Sequence, residues 1–423
     1  MMQKLWNHGI EKAGGAVVVR RWALALAAGA MLWFRPSNSI SEAVLWLAGL
    51  YALWNWRTTL TAWKNPAGLC FGVGIVWAAA SVLWSFYPAG TAQDLSVGLP
   101  LVISTLAISM IFDRPSRIWA ALVTSAGLIT LRLAWDLIRL WSELGWPTVM
   151  TEARFFHPYV YTHPNVSSMM AGLCILVFIA RWVAGANGCW RKVALAAGMA
   201  LNLVYLVVLA SRGPQIVFAL GLLIFPIVLL PGWRSRLVAL LLVSTLGFGL
   251  FKMAIVVNPR FQDRTMTNFN SRDTVWGHSK LLADRKPVLG YGFGKQAFEK
   301  AVYDNPDQRP PLVPFHFPHA HQYWLMLYFQ GGIIGFALWS LGWLALLVRL
   351  ARTAIRRERL AVDGRGRVQA RVLPALLGMG ILYILIYGLG DFPDHVIRRS
   401  LFYLAGLTMA LTLPPTPSKE ASQ

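Results

Sequence analysis

Charge is scarce in this sequence: 13% of its 423 residues are Asp, Glu, Lys or Arg, where a soluble globular chain carries about a quarter. That shortage argues against a cytosolic globular enzyme. A 56% hydrophobic content, 20 Trp and a mean hydropathy of +0.51 point instead to a membrane protein. Cysteine is scarcer still. Cys70 and Cys174 lie in apolar runs and Cys189 in a short basic loop, a pattern unlike a disulfide framework or a CxxC metal site. Acidic residues number 18 against 39 basic ones, and no HExxH accompanies the histidines. Zinc therefore has weak support, and neither a metal nor a cofactor is expected.

What the sequence has in quantity is apolar length. Windows fall at about residues 16–34, 40–56, 66–87, 94–112, 117–141, 165–184, 192–210, 213–232, 236–257, 321–348, 372–390 and 396–414, about twelve spans in all. Lys4, Lys12, Arg20 and Arg21 precede the first run, which reads as an uncleaved first helix in preference to a cleavable signal. The expected fold is an all-α polytopic membrane protein. Residues 1–257 carry spans one to nine, 258–320 form a long loop, and 321–423 carry the last three spans and a short tail.

The net charge of +21 is divided by this topology. With the N-terminus inside, the inner loops hold Arg57, Lys64, Arg114, Arg117, Arg181, Arg191, Lys192, Arg234, Arg236 and the run from Arg349 to Arg371. The short outer loops hold only Arg35, Arg154, Arg212, Arg398 and Arg399. The asymmetry places both termini in the cytoplasm. It also disposes of nucleic acid as a partner, because the basic run reads as a positive-inside loop on anionic phospholipid headgroups.

The 258–320 stretch does not fit a plain helical bundle. It is polar, basic and on the outer face, and loops of this length are functional or disordered. Its signals are those of a folded unit. Ser271 caps a helix carrying Val275, Trp276, Leu281 and Leu282 that Pro287 stops; Gly290-Tyr-Gly-Phe-Gly294 makes a turn; a second short helix runs through Phe298 and Val302.

Five constellations carry candidate chemistry. His319-Ala-His321 stands where the loop enters the tenth span; a neutral His at a helix start suits a general base, or simply caps the helix. Ser211-Arg212-Gly213-Pro214 holds an Arg at the outer boundary, suited to phosphate of an anionic ligand or of ordinary phospholipid. Arg132, Asp136 and Arg139 share one face of the fifth span, where an internal ion pair leaves one Arg available to an anion. In the outer loop before the sixth span, His157, Tyr159, Tyr161, His163 and Asn165 suit sugar contacts or an aromatic belt, with Asn165 as a helix cap. Asp391, Asp394 and His395 follow the eleventh span; a carboxylate there orients a His, binds sugar hydroxyls, or belongs to a plain polar turn. Gly331 and Gly335 form GxxxG in the tenth span, read as close helix packing.

Several Arg and a His converging on the outer face suit displacement of a lipid diphosphate by a hydroxyl. The Arg groups would stabilise the leaving diphosphate and the His would take the acceptor proton.

Four motifs carry a family resemblance: Ser211-Arg212-Gly213, Ser271-Arg272-Asp273-Thr274-Val275-Trp276, Gly290-Tyr-Gly-Phe-Gly294, and His319-Ala-His321-Gln322 with Leu325 and a Gly-rich helix after it. With the long loop between the ninth and tenth spans, the chain resembles the O-antigen ligase family. That family belongs to a superfamily that also holds O-antigen polymerases and protein O-oligosaccharyltransferases. The likeness is specific over about residues 200 to 400, and Gln322 stands where the family usually has Asn.

The resemblance implies a GT-C-like membrane glycosyltransferase of the bacterial inner membrane, acting on the periplasmic face without metal or cofactor. It would move polysaccharide from undecaprenyl diphosphate to a sugar hydroxyl of lipid A-core, inverting the anomeric carbon. His321 matches the presumed base, and Arg212 and Arg272 match arginines implicated in diphosphate binding. Arg264, Arg285 and Arg139 are further candidates for the diphosphate, and His319, His163, Arg154 and Asp391 for sugar or acceptor contacts. A polymerase or protein O-oligosaccharyltransferase would use the same donor. A polytopic transporter or lipid flippase is the reading from another class, against which stand the lack of a convincing repeat and the folded loop.

Overall fold

The computed structural model describes residues 56–112, 115–146, 163–185, 188–230, 232–257, 271–305, 316–360, 364–391 and 395–412, with isolated positions from 43 to 54 and at 148 and 149. Among them are thirteen α-helices, one short 3-10 turn and no strand. In chain order the helices are α1 (Trp56–Trp63), α2 (Pro66–Ala80, extended by the 3-10 turn Ser81–Leu83), α3 (Pro88–Ile111), α4 (Pro115–Leu144) and α5 (Pro164–Val183). There follow α6 (Cys189–Leu209), α7 (Arg212–Leu229), α8 (Trp233–Val257), α9 (Arg272–Arg285) and α10 (Lys295–Tyr303). The last three are α11 (Tyr323–Arg359), α12 (Gly364–Tyr387) and α13 (His395–Thr412).

Proline opens α2, α3 and α5, where its missing N–H costs no helical bond and its fixed φ suits the first turn. Asn65 completes the start of α2 by accepting from the Gly68 amide at 3.1 Å.

Among the described residues, seven helices are long and apolar enough to cross a membrane: Pro66–Leu83, α4, α5, α6, α7, α11 and Val368–Tyr387 of α12. The chain is thus an all-helical, multi-pass membrane protein. Of the remaining expected windows, three coincide with α3, α8 and α13, that at 16–34 lies outside the described residues, and that at 40–56 is described only in isolated positions.

Burial arranges the spans. In α5 and α12, 78% and 72% of the span is buried, against 33% for Pro66–Leu83, α7 and α11. These two helices are therefore the centre. α4, α6, α7 and α12 pack on α5, while α11 packs on α2 and α12, and α13 on α3 and α12. The start of α5 and the end of α12 meet through Asn165 and Asp391, so side chains there sit at the middle of one end of the bundle.

Between α8 and α11, helices α9 and α10 pack on α11 and α3 respectively. The apolar face of α9 is Val275, Leu282 and Ala283, with Leu281 turned outward at 52% exposure. α10 buries Ala297, Phe298, Ala301 and Val302.

α11 is broken at Gly332, whose φ of 61° and ψ of −164° are not helical. A Cβ there would meet the Val288 carbonyl oxygen at 2.0 Å, so only glycine fits. The carbonyls freed by the break are reused: Phe329 accepts from the Tyr291 amide at 2.9 Å, and Gln330 from Gly292 at 3.1 Å. Gly331 and Gly335 face Trp77 of α2, whose indole N–H donates to the Gly331 carbonyl at 2.9 Å. The GxxxG pair does serve close packing, but on a helix that stops being helical between its two glycines.

At the opposite end of α11 the basic run is partly consumed. Arg349 donates to Thr412 Oγ1 and O at 2.7 and 3.0 Å, Arg357 donates to Leu411 O at 3.2 Å, and Arg371 pairs with Glu358. These arginines close the C-terminus of α13 and tie α11 to α12.

Candidate functional site

The site is built around Asp391, four residues beyond Tyr387 at the end of α12. Only 7% of the residue is exposed, and a carboxylate so buried must have donors. It has four. His321 Nδ1 lies 3.2 Å from Oδ1, while Oδ2 accepts from Arg272 Nη2 at 3.0 Å, Tyr387 Oη at 2.9 Å and Asn165 Nδ2 at 3.2 Å. Burial pushes the Asp391 carboxyl up, but the His321 hydrogen bond, the Arg272 charge and the Tyr387 hydroxyl outweigh it and hold the group well below the usual carboxylate range. Asp391 is therefore ionised and acceptor-only. It follows that Nδ1 of His321 carries a proton and donates it to Asp391.

Backbone contacts converge on the same point. Arg272 also donates through Nη1 to the Gly390 carbonyl. The Tyr323 amide donates to Gly388 O at 2.8 Å, and Gln322 Nε2 to Leu389 O at 3.2 Å, so the start of α11 is laced to the turn after α12. Trp276 Nε1 donates to the His321 carbonyl at 3.2 Å, tying α9 to the same residue.

Three non-glycine residues among those described have positive φ: Ala210 at 46°, Ser271 at 62° and His321 at 49°. Each costs about 1–3 kcal/mol and persists only where its surroundings hold it. The three are His321 itself, the residue before Arg272, and the residue two before Arg212. Strain is thus stored beside each of the motif residues singled out above. Ser271 accordingly makes no side-chain cap; its carbonyl accepts from Val275 at 3.2 Å instead.

His319 supports this turn. Its Nδ1 accepts the His321 amide at 3.2 Å, and the two rings meet edge to face at 4.4 Å. Burial above all, then His321, Lys295 and Arg398, push the His319 imidazole down to about 3 against the pull of Asp391. It is neutral at any ordinary pH.

The other expected residues are placed as follows. Arg212 opens α7 and is half-buried; its neighbour Gly213 has its Cβ direction 3.6 Å from the Tyr387 ring, and Tyr383 Oη donates to Pro214 O at 3.3 Å, so Arg212 stands at the same end of α12 as Asp391. His163 is the exposed N-cap of α5 and accepts from the Asn165 amide at 3.3 Å. Asn165 is therefore not the cap, and its side chain is spent on Asp391. Arg139 lies in α4 with Glu143 at 3.9 Å, and Arg132 pairs with Asp136 at 3.2 Å. Arg285 ends α9, about 20 Å along the helix from Arg272 and away from Asp391. Arg154, Arg264, His157, Tyr159, Tyr161 and Asp394 lie outside the described residues, as does the side chain of His395.

Tyr387, Trp276 and the Gly390 carbonyl were not expected as parts of the site. The spacing of Tyr387 and Asp391, four residues at a helix end, was the available signal for the first. Nothing local marks the other two.

The fold and the cluster define a multi-pass helical membrane protein holding a His–carboxylate pair flanked by arginine. Residues 197–340 match the model of a family described as O-Antigen ligase. The match covers about a third of the chain, and over that part the chain is similar to the O-antigen ligase family. The matched segment contains Arg212, Arg272 and His321 but not Asp391. No curated protein matches the chain.

Proposed function

We propose that the chain is an O-antigen ligase that moves a polysaccharide from undecaprenyl diphosphate to a sugar hydroxyl of lipid A-core. The observation that carries the reading is the His321–Asp391 pair at 3.2 Å with Arg272 on the other carboxylate oxygen. With Nδ1–H held by Asp391, Nε2 of His321 takes the proton of the acceptor hydroxyl as its oxygen attacks the anomeric carbon. The bond from that carbon to the diphosphate oxygen breaks, configuration inverts, and the diphosphate leaves with the bonding pair. Asp391 stabilises the imidazolium formed. Arg272, with two of its five N–H donors spent on Asp391 and Gly390, and Arg212 at the head of α7 stabilise the departing charge. The activated bond lies in the donor, so neither nucleotide nor metal ion is invoked.

The reading includes about twelve spans in the inner membrane, both termini cytoplasmic and the Asp391 end facing the periplasm. The Lys and Arg distribution supports that orientation.

The test is transfer by purified protein given lipid-linked polysaccharide and lipid A-core, with a chelator present. Wild type is expected to form conjugate and His321→Ala to lose it by at least about 100-fold while eluting as a monodisperse species. Wild-type activity in the variant removes the base role. Conjugation only to a second lipid-linked glycan makes the enzyme a polymerase, and activity restored only by added divalent ion overturns the metal-free mechanism.

A further inference from the structure

The link between α9 and α10 has a composition unlike the rest of its segment. From Pro287 to Gly294 it carries no charge, and Lys286 and Lys295 bound it on either side. Its tip exposes Val288 at 52% and Leu289 at 42%. Single exposed apolar side chains are ordinary, but these two belong to a patch.

Backbone contacts show what lies next to them. The Ile333 amide donates to the Pro287 carbonyl at 2.8 Å, and Ile333 is 52% exposed. Trp84 Nε1 donates to the Leu289 carbonyl at 3.0 Å, and the adjacent Leu83 is 87% exposed. Leu83 ends the span Pro66–Leu83, and Ile333 begins the apolar stretch of α11 that runs without charge to Val348. The patch Leu83, Val288, Leu289 and Ile333 is therefore continuous with surfaces that spans present to hydrocarbon.

The backbone of the tip is also fitted for such a place. Irregular chain is tolerated at membrane depth where protein satisfies its polar groups. Pro287 brings no N–H, the Gly290 amide turns back to Lys286 O at 3.0 Å, and Tyr291 and Gly292 donate into the break of α11. Gly290 has φ 71°, and a Cβ on it would meet the Gln330 carbonyl at 2.6 Å, so the approach of the two chains requires glycine. The Lys286 ammonium lies 4.7 Å from the Tyr291 ring centroid and 5.9 Å from that of Phe86, a long side chain lying over aromatic rings.

We infer that Val288 and Leu289 form a lipid-inserted wedge: the segment carrying Arg272 is anchored in the bilayer by acyl-chain contact at the break of α11. Arg272, at the far end of α9, is then held between two fixed points, the membrane at Leu289 and the carboxylate of Asp391. The inference rests on the membrane-spanning fold alone, so its failure would leave the glycan-transfer reading untouched.

Spin labels test it in full-length protein reconstituted in phosphatidylethanolamine–phosphatidylglycerol vesicles, with Cys70, Cys174 and Cys189 replaced by Ala. Val288→Cys and Leu289→Cys carry the nitroxide, with Ile333→Cys as the lipid reference and Asp284→Cys, one turn earlier and exposed, as the aqueous one. Collision with oxygen relative to a water-soluble nickel chelate is expected to be at least about fivefold higher at 288 and 289 than at 284, and to match 333. Nickel access at both positions equal to that at 284 overturns the wedge. Labels shielded from both probes would mean that protein covers the patch, and overturn it equally.

Unmodified protein provides a second measurement. A phosphatidylethanolamine with a diazirine near its acyl-chain end is expected to label the peptide Lys286–Lys295. Adducts on α11 peptides without any on this peptide count against the inference.

Discussion

Two buried carboxylates meet arginine in different ways. Asp136 is fully buried in the middle of α4 and pairs with Arg132 one turn before it at 3.2 Å. Asp391 is nearly as buried, yet its four donors come from α5, α9, α12 and the loop before α11. The first ion pair joins two residues of one helix, a single turn apart. The second exists only when several elements have docked, and a His is among its donors. A buried acid with arginine is thus not by itself a functional sign; the sign is convergence from distant parts of the chain.

The comparison breaks most sharply at Asp391. Asp391→Asn keeps the shape but no longer fixes Nδ1–H of His321 or offsets the imidazolium, and transfer is expected to fall about 100-fold or more. Turnover by monodisperse protein at saturating donor checks this, and retained activity would reduce Asp391 to a polar turn. Arg272→Ala should come next, lowering kcat/KM for the diphosphate donor by about 10- to 100-fold with a smaller change for the acceptor. Equal loss for both substrates would mark misfolding.

Asp136→Asn supplies the other half. It removes the partner of Arg132, and since that arginine is 39% exposed the cost is about 1–2 kcal/mol, seen as a lower unfolding temperature. Turnover per folded molecule should stay within about twofold of wild type, because neither Arg132 nor Asp136 is among the donors described for Asp391. A loss as large as that of Asp391→Asn would erase the distinction between the two acids. Arg139→Gln, which loses the Glu143 contact at 3.9 Å, should leave activity within the same twofold margin.

The smallest expected effect is a pH slope. The His319 imidazole is held at about 3 in the fold, below its ordinary value of 6.5. As pH falls from 6.5 toward 3, the unfolded chain takes up a proton that the folded one refuses, so stability declines over that window. Asp391, held below its ordinary value, keeps its contribution down through pH 4 and adds to the decline only in stronger acid. Unfolding temperatures at pH 7, 6 and 5 should therefore drop, and His319→Asn should flatten the drop.

Much of the site was legible because its motif residues carry their own signals. His321 stands at a helix start, Arg212 interrupts an apolar run, and Arg272 belongs to the Ser271–Trp276 motif. Asp391 was visible as a residue but not as a hub, since 70 positions separate it from His321 and 119 from Arg272. Asn165 was hidden by a common role: Asn near a helix start reads as a cap, and here His163 takes that place. Among the loop cations, composition gave no way to separate Arg272 from Arg285, whereas 14 helical residues set them at opposite ends of α9. The spans were readable from apolar length, but the break at Gly332 was not. Gly331, Gly332 and Gly335 lie in an apolar stretch, and the cause of the break is the Pro287–Gly292 chain pressed against it.

The left-handed backbone of His321 bears on how the protein is made. Ribosomes deliver α11 before α12, so when residue 321 is threaded into place nothing yet exists to accept its Nδ1–H. Held instead by its own preferences, the residue favours an ordinary right-handed or extended geometry. Only after the turn at Gly388–Asp391 has emerged and met the head of α11 can the residue settle into its final form. Competence therefore arrives late in biosynthesis, and a nascent chain arrested before residue 391 would be inserted and largely helical yet inert.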